Sequence, residues 1–259
     1  MILLQDLHTH TVYCDGKNTP EEMIEEAIKR GIKKIGFSGH SFTAFDTQYC
    51  MSVENVTKYI TEINSLKVKY KGQIEIKCGV EQDFYATYGT FGFDYVIGSV
   101  HYIKVGDEYI PVDESEEVLR DAANKHFGGD IYALCEKYFK TVGELLNHVD
   151  ADIIGHFDLI SKFNENGKLF DENHPRYIQA YTDALNALLP HGKPFEVNTG
   201  AISRGYRTHP YPSHAQLEYI AKNGGCVILT GDTHAKENLC YEFEKWYDEC
   251  IKIGLTVTF

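Results

Sequence analysis

Short apolar runs alternate along the chain with longer segments whose apolar residues recur at helical spacing. Runs of four to seven residues predict seven β-strands, at Ile2–Leu7, Lys34–Ser38, Ile74–Val80, Tyr95–Val100, Asp152–Gly155, Phe195–Asn198 and Cys226–Thr230. Runs such as CVILT and DYVIGSV are typical of strands buried on both faces in a parallel sheet. The alternation of strands and helices therefore predicts an α/β fold, either a barrel or an open doubly wound sheet.

Helix signals stand between most of these strands. Thr19 suits an N-cap, Pro20 suits the first helical position, and a following glutamate is placed to close a capping box. This helix is predicted to stop at Gly31. Further helices are predicted at Val53–Tyr70, Ser115–Lys125, Ile131–His148, Pro175–Leu189, Ser213–Lys222 and Tyr241–Ile253. The link between the fourth and fifth strands exceeds fifty residues, and we expect an insertion with two helices there.

Length and composition predict a single globular domain that spans residues 1–259. Aspartate and glutamate number 38 against 25 lysines and arginines, and the formal net charge of −13 argues against a nucleic-acid partner. A small anionic substrate stays compatible with this charge, because bound divalent cations would make the site locally positive. No apolar run approaches the roughly 18–20 residues of a membrane span, and no signal peptide is recognisable. We therefore expect a cytoplasmic protein without a membrane partner.

Residues that can bind metals follow the predicted strands. They are His8 and His10, His40, Glu81, His101, His156, and finally Asp232 with His234. In α/β barrels the carboxyl ends of the strands meet at one face, so these side chains should converge. Imidazole and carboxylate together are the ligands of zinc, iron(II) and manganese(II), whereas calcium prefers oxygen alone. The combination predicts a multinuclear transition-metal site.

The motifs that carry these residues resemble those of the polymerase and histidinol phosphatase (PHP) family, in its histidinol-phosphatase branch. In chain order they are DLHTHTVYCDG, GFSGH, GVEQD, GSVHY, GHFDL, EVNTG and GDTHA, which together span nearly the whole chain. The resemblance implies a distorted TIM-like (β/α)7 barrel. It also implies three divalent transition-metal ions, as zinc, iron or manganese.

The resemblance also implies how the ligands are shared. His8, His10, Glu81 and Asp232 resemble the ligands of one metal; Glu81 would bridge to a second, held also by His101 and His156; and Asp15, His40 and His234 resemble the ligands of the third. Two positions depart from the pattern of many relatives. Gly39 replaces an aspartate, which affects the support of His40, and Asp15 stands where some relatives have histidine.

Phosphate recognition requires cationic donors, and the loop after the sixth strand supplies Arg204 and Arg207. Their guanidinium groups match phosphate oxygens geometrically. We predict that Arg204 binds the substrate and neutralises charge during catalysis, and that Arg207 contributes to substrate binding. Lys162, shortly after GHFDL, is a third candidate, at a place where relatives tend to have arginine.

The predicted function is the metal-dependent hydrolysis of L-histidinol phosphate to L-histidinol and phosphate, in histidine biosynthesis. Another small phosphomonoester is an alternative substrate. An amidohydrolase-like barrel also begins with HxH, although the late DxH and Glu81 favour a phosphatase. A nuclease is disfavoured by the acidity of the chain, and a metal-binding module without turnover is the non-enzymatic alternative. The sequence leaves the oligomeric state open.

Overall fold

The computed structural model describes residues 4–259, and its centre is a sheet of parallel strands. In chain order the strands are β1 (Gln5–Asp6), β2 (Lys34–Phe37), β3 (Glu75–Asp83), β4 (Tyr95–Ser99), β5 (Tyr102–Val105), β6 (Glu108–Pro111), β7 (Ile153–Ile154), β8 (Phe195–Asn198), β9 (Cys226–Thr230) and β10 (Thr256–Val257). The central sheet has the order β1-β2-β3-β4-β7-β8-β9-β10, and β5 and β6 form a separate hairpin. The predicted strand Ile2–Leu7 begins outside the described residues, and β1 is its described part.

The two ends of the predicted seven-strand series meet. Thr9, just after β1, pairs in parallel with Thr233, just after β9, and the backbone N–H of His10 donates to the carbonyl of Thr233 (2.9 Å). The carboxylate of Asp6 adds two further links, because it accepts from the backbone N–H of Gly231 (2.9 Å) and from the hydroxyl of Thr233 (3.1 Å). The sheet thus curls into the distorted barrel that the sequence predicted. The short eighth strand, β10, was not predicted.

Helices cover the outside of the sheet. They are α1 (Pro20–Lys29), α2 (Val53–Lys69), α3 (Glu116–Phe127), α4 (Ile131–Gly143), α5 (Leu145–His148), α6 (Pro175–Leu188), α7 (Gly200–Ser203), α8 (His214–Lys222) and α9 (Phe243–Lys252). At the start of α1, Thr19 and Glu22 form the predicted capping box. Within residues 4–259, none of the helices combines the length and the apolar character that crossing a membrane requires.

The insertion between β4 and β7 differs from the prediction of two helices. It contains the hairpin β5–β6 followed by three helices, since the predicted helix Ile131–His148 is interrupted at Glu144. The hairpin turns at Gly106, whose φ of +60° suits glycine. The backbone N–H of Val112 donates to the carbonyl of His101 (2.9 Å). The hairpin therefore leaves from one strand-end histidine and returns beside it.

The core lies between the sheet and the surrounding helices. Tyr59 of α2, Phe139 of α4, Phe195 of β8 and Phe243 of α9 are all at most 2 % exposed. Burying each such side chain stabilises the fold by about 1.5–3 kcal/mol. These packed elements give the carboxyl ends of the strands fixed positions.

Candidate active site

The predicted metal ligands converge at the carboxyl-terminal end of the sheet. Glu81, at the end region of β3, lies at their centre and is 1 % exposed. Its carboxylate contacts His156 Nε2 (2.8 Å), His40 Nδ1 (2.9 Å) and His101 Nε2 (3.3 Å), and it accepts a hydrogen bond from the Ser99 hydroxyl (2.7 Å). Burial raises the pKa of Glu81, but the surrounding imidazoles outweigh burial and hold it well below its usual range. Glu81 is thus an ionised carboxylate shared by several imidazoles.

A second group lies on the β1 side of Glu81. His8 Nε2 is 3.3 Å and His10 Nε2 is 3.6 Å from Glu81 Oε2, and Asp232 Oδ1 lies 3.8 Å and 3.3 Å from the same two nitrogens. The spacing of two residues puts both imidazoles on one side of the extended chain. Asp232 has a φ of 45°, a conformation that costs energy in a residue with a side chain and that clusters at functional sites.

A third group lies nearer the surface. Asp15 Oδ2 is 3.0 Å from His234 Nε2 and 3.7 Å from His40 Nε2, and Asp15 Oδ1 is 3.4 Å from His10 Nδ1. His40 therefore lies between Glu81 and Asp15, with one ring nitrogen toward each. Burial raises the pKa of Asp15, but His40 and the other neighbouring histidines lower it by more than burial raises it. The pKa is therefore below its usual range, and the carboxylate stays ionised.

These groups have the donor atoms that a metal site requires. His8 Nε2 and His10 Nε2 are buried, and neither has a hydrogen-bond partner among the residues the structure describes. Unpaired buried polar atoms are costly, and bound cations would satisfy them. Three groups have ligand atoms that all lie within 4.8 Å of one another: His8, His10 and Asp232; His40, Glu81 and His101; and His10, Asp15, His40 and His234. The donor set therefore fits divalent metal ions.

Two carboxylates that the sequence analysis did not select hold the imidazoles in place. Glu196 is completely buried; its Oε1 lies 2.6 Å from His8 Nδ1, and its Oε2 accepts from the backbone N–H of His156 (2.9 Å). Asp83 accepts from the backbone N–H of His101 (2.9 Å) and lies 3.3 Å from its Nδ1. A carboxylate at one ring nitrogen fixes the tautomer and directs the other nitrogen to the metal. Asp83 is thus engaged with His101.

Arg204 lies where a phosphate-binding residue is needed. Its Nη2 donates to Asp232 Oδ2 (2.9 Å), and its Nη1 donates to the carbonyl of Asp232 (2.8 Å) and lies 2.9 Å from His234 Nδ1. A Cβ on Gly200 would lie 2.8 Å from that of Asp232 and 3.0 Å from Arg204 Nη2, so glycine leaves room for this ion pair. The side chain of Arg204 is 26 % exposed, which leaves part of the guanidinium group open to a ligand.

Unlike Arg204, Arg207 is paired with none of the predicted metal ligands among the described residues. Its side chain is 1 % exposed and contacts Ser161 and His209, with Asp158 at 3.9 Å and Glu172 at 3.8 Å. The structure therefore gives no support to the prediction that Arg207 contacts phosphate. Its guanidinium group instead balances two carboxylates beneath the loop. Asp158 is buried with it.

An open cavity of about 210 Å³, called here the phosphate cavity, adjoins the three groups. Its lining includes Arg204, Lys162, Asp113 and Tyr206, together with six of the predicted ligands: Asp15, His40, His101, His156, Asp232 and His234. Lys162 Nζ donates to the carbonyl of Asp113 (2.8 Å) and lies 3.2 Å from its carboxylate. The predicted cations Arg204 and Lys162 thus reach the cavity, each already paired with an acidic residue.

Gly39 lies beside His40 without a side chain to support it. A Cβ there would lie 3.1 Å from Cys14 Sγ and 3.5 Å from Met51, so this space is filled by apolar and sulfur atoms. The ring of His40 instead packs edge-on against Tyr49, at 4.8 Å between ring centroids.

Comparisons with known proteins agree with this geometry. The family model of the PHP domain matches residues 6–200. The histidinol-phosphatase of Bacillus subtilis is 27% identical over an alignment 271 positions long, gaps included. The alignment covers 95% of this chain and 99% of that protein. The histidinol-phosphatase of Lactococcus lactis is 25% identical, and the alignment covers 88% of this chain and 83% of that protein.

Two solved structures share the fold. A Listeria monocytogenes protein superposes with a TM-score of 0.79 at 18% identity, over 93% of this chain and 99% of that one. The histidinol phosphate phosphatase of Lactococcus lactis, complexed with zinc, L-histidinol and phosphate, superposes with a TM-score of 0.71 at 24% identity, over 98% of this chain and 95% of that one.

Proposed function

Because the chain belongs to the PHP domain family, we propose that it is a metal-dependent phosphomonoesterase that converts L-histidinol phosphate to L-histidinol and phosphate in histidine biosynthesis. The observation that carries this proposal is the convergence of imidazoles, ionised carboxylates and Arg204 on one cavity. The names of the B. subtilis and L. lactis relatives support the choice of substrate. Other small phosphomonoesters are the second candidate substrates, because the phosphate cavity is compatible with any of them.

We propose that the nine predicted ligands hold three divalent ions, as zinc, iron or manganese. His8, His10, Glu81 and Asp232 would serve one ion; Glu81, His101 and His156 a second; and Asp15, His40 and His234 the third. The contacts of Glu81 with His8 on one side and His156 on the other support its bridging role. The zinc in the L. lactis complex supports the choice of a divalent transition metal.

When bound, the metal ions supply Lewis acidity that activates water and neutralises phosphate charge. The residues of the chain position the reaction. Arg204 would turn its exposed donors to the phosphate oxygens, where a charge-assisted pair stabilises the developing negative charge. Lys162 would add a second cation at the cavity wall, and Glu196 and Asp83 would keep His8 and His101 oriented. Ser203 donates its hydroxyl to the carbonyl of Gly200 (3.0 Å), which fits hydrolysis without a covalent serine intermediate.

The same residues define the other expected properties. The domain would act as one unit over residues 1–259, since β10 pairs with β9 and thus ties the C-terminal segment to the sheet. The partner would be a small phosphomonoester. Nucleic acid would not be a partner, because the protein has a formal net charge of −13 and its surface outside the metal site would repel a polynucleotide.

Phosphate release tests the proposal directly. The metal-loaded protein would be mixed in separate reactions with L-histidinol phosphate, other metabolite monoesters, an amide panel and single-stranded DNA. We expect phosphate release from monoesters, with L-histidinol phosphate the best substrate, and no hydrolysis of amides or DNA. Hydrolysis of amides alone would overturn the proposal in favour of an amidohydrolase.

A further inference from the structure

A second cavity adjoins the phosphate cavity and shares part of its wall. It has a volume of about 370 Å³, and Tyr102 and Pro111, which pair at the open end of the hairpin β5–β6, line it, so it is called here the hairpin cavity. Asp15, His40, His101 and Asp113 line both cavities. A phosphate bound at the shared wall would therefore lie next to a second space large enough for a small alcohol.

The two cavities differ in charge. The phosphate cavity is lined by Arg204 and Lys162, whereas the hairpin cavity adds Asp46 and Glu114 and, within residues 4–259, has no lysine or arginine in its wall. Lys162 holds Asp113 from the phosphate side through its carbonyl and its carboxylate. The hairpin cavity therefore suits a positively charged group, and the phosphate cavity a negatively charged one.

The wall of the hairpin cavity is also aromatic. Tyr49 and Tyr102 line it, with 6.2 Å between ring centroids, and the hydroxyl of Tyr102 donates to Asp46 Oδ2 (2.8 Å). Neutral aromatic faces attract cations and pack against flat rings. Aromatic walls next to carboxylates are the environment that an aromatic or cationic amine would require.

We propose that the hairpin cavity binds the leaving alcohol and selects phosphomonoesters whose alcohol carries a cationic nitrogen, with Asp113 as the partner of that nitrogen. This inference rests on the proposed phosphatase function. Asp113 lines both cavities, so it suits an ammonium group on the carbon next to the ester CH2. Tyr49 and the Tyr102–Asp46 pair line only the hairpin cavity and receive a ring attached to that carbon. The hairpin cavity is thereby a specificity element, and L-histidinol phosphate matches both of its features.

Three substrates separate these contributions. L-histidinol phosphate has the ammonium and the ring, O-phosphoethanolamine has only the ammonium, and phenyl phosphate has no charged nitrogen. For Asp113→Asn, kcat/KM should fall about 10- to 100-fold with the two ammonium substrates, because a charge-assisted hydrogen bond is lost. With phenyl phosphate the fall should be at least about fivefold smaller, because that substrate has no ammonium group and meets only the altered pairing of Asp113 with Lys162, and the metal content should not change. Asp107→Asn, at the exposed turn of the same hairpin, is the matched control and should change none of these values.

Tyr49→Leu provides a second, independent test. The KM of L-histidinol phosphate should rise about 3- to 10-fold more than that of O-phosphoethanolamine, because only the first has a ring to pack against Tyr49, whereas any effect through His40 falls on both substrates. Equal losses on all three substrates, or full retention of the preference for ammonium in Asp113→Asn, would overturn the inference. If the unaltered enzyme hydrolyses phenyl phosphate as efficiently as L-histidinol phosphate, this inference fails while the phosphatase proposal stands. If it hydrolyses no phosphomonoester, both fail.

Discussion

Two regions that differ in burial lie side by side in this protein. One is the set of metal-ligand side chains at the strand ends, and the other is the wall of the hairpin cavity. The strand-end groups are buried and held on both sides, as Glu81 is among three imidazoles and Ser99. The wall of the hairpin cavity is more open: Glu114 is exposed, and Asp46 and Asp113 are half-buried. The difference indicates that the strand ends fix the reaction chemistry, while the hairpin cavity determines which alcohol is accepted. Substitutions at strand ends should therefore slow every ester equally, and those in the hairpin should act selectively.

Glu81→Gln should have the largest effect of the changes considered. It removes a charge that two metal ions would share, so kcat/KM should fall by about 1000-fold or more on every phosphomonoester. Metal content, measured by elemental analysis, should fall as well. Glu75→Gln at the exposed start of the same strand is the control and should leave both unchanged. Full activity of Glu81→Gln would exclude a bridging role.

Arg204→Ala should rank second. Loss of a charged donor aimed at the phosphate should lower kcat by about 100- to 1000-fold, again with every ester, while metal content stays close to normal.

Arg207→Ala is the informative counterpart of Arg204→Ala, since both residues lie in one loop. Its activity per folded molecule should be retained, but the free energy of unfolding in urea should fall by about 3 kcal/mol, because Asp158 loses its buried partner. The opposite pattern would reverse the roles assigned to the two arginines.

Glu196→Gln should have a smaller effect that is specific to metal binding. The amide has only one acceptor oxygen, so it cannot accept from His8 Nδ1 and from the backbone N–H of His156 at once, and metal affinity should fall about 10- to 100-fold. Titration with a chelator would measure this affinity without an activity assay. Raising the metal concentration should restore much of the activity. A loss of activity at unchanged metal affinity would instead place Glu196 in the reaction itself.

Gly106→Ala should have the smallest effect, and a selective one. Alanine at a φ of +60° costs about 1 kcal/mol, which should loosen the hairpin without altering the barrel. Hydrogen exchange at hairpin amides should become faster, and kcat/KM should fall a few-fold with L-histidinol phosphate and not with phenyl phosphate. Gly89→Ala, where a Cβ would meet open space, is the control. An equal loss with both substrates would remove the distinction between the two regions.

The strand ends could be predicted from the sequence because their signals are local. A short apolar run that stops at His40 or Glu81 shows both the strand and the side chain at its end, and the barrel rule brings such ends together. Residues such as His8 and His10 share a side because the spacing of two is fixed by strand geometry. The position of Asp15 followed only from the resemblance to the PHP family.

The hairpin and the supporting carboxylates were missed for different reasons. Tyr102–Val105 and Glu108–Pro111 are two β-like runs separated by Gly106 and Asp107, which is a hairpin signal that was overlooked beside the stronger helix patterns. Glu196 lies in the middle of β8, where an acidic residue is unusual, and that anomaly could have indicated a buried partner. The different surroundings of Arg204 and Arg207 depend on tertiary contacts and had no local signal.

Anomalous diffraction from crystals of the metal-loaded protein tests the central claim most directly. The account predicts peaks for transition metals within about 2.0–2.2 Å of the ligand atoms of His8, His10 and Asp232, around Glu81 with His101 and His156, and between Asp15, His40 and His234. Peaks that avoid these side chains, or an absence of any peak among them in active crystals, would contradict it.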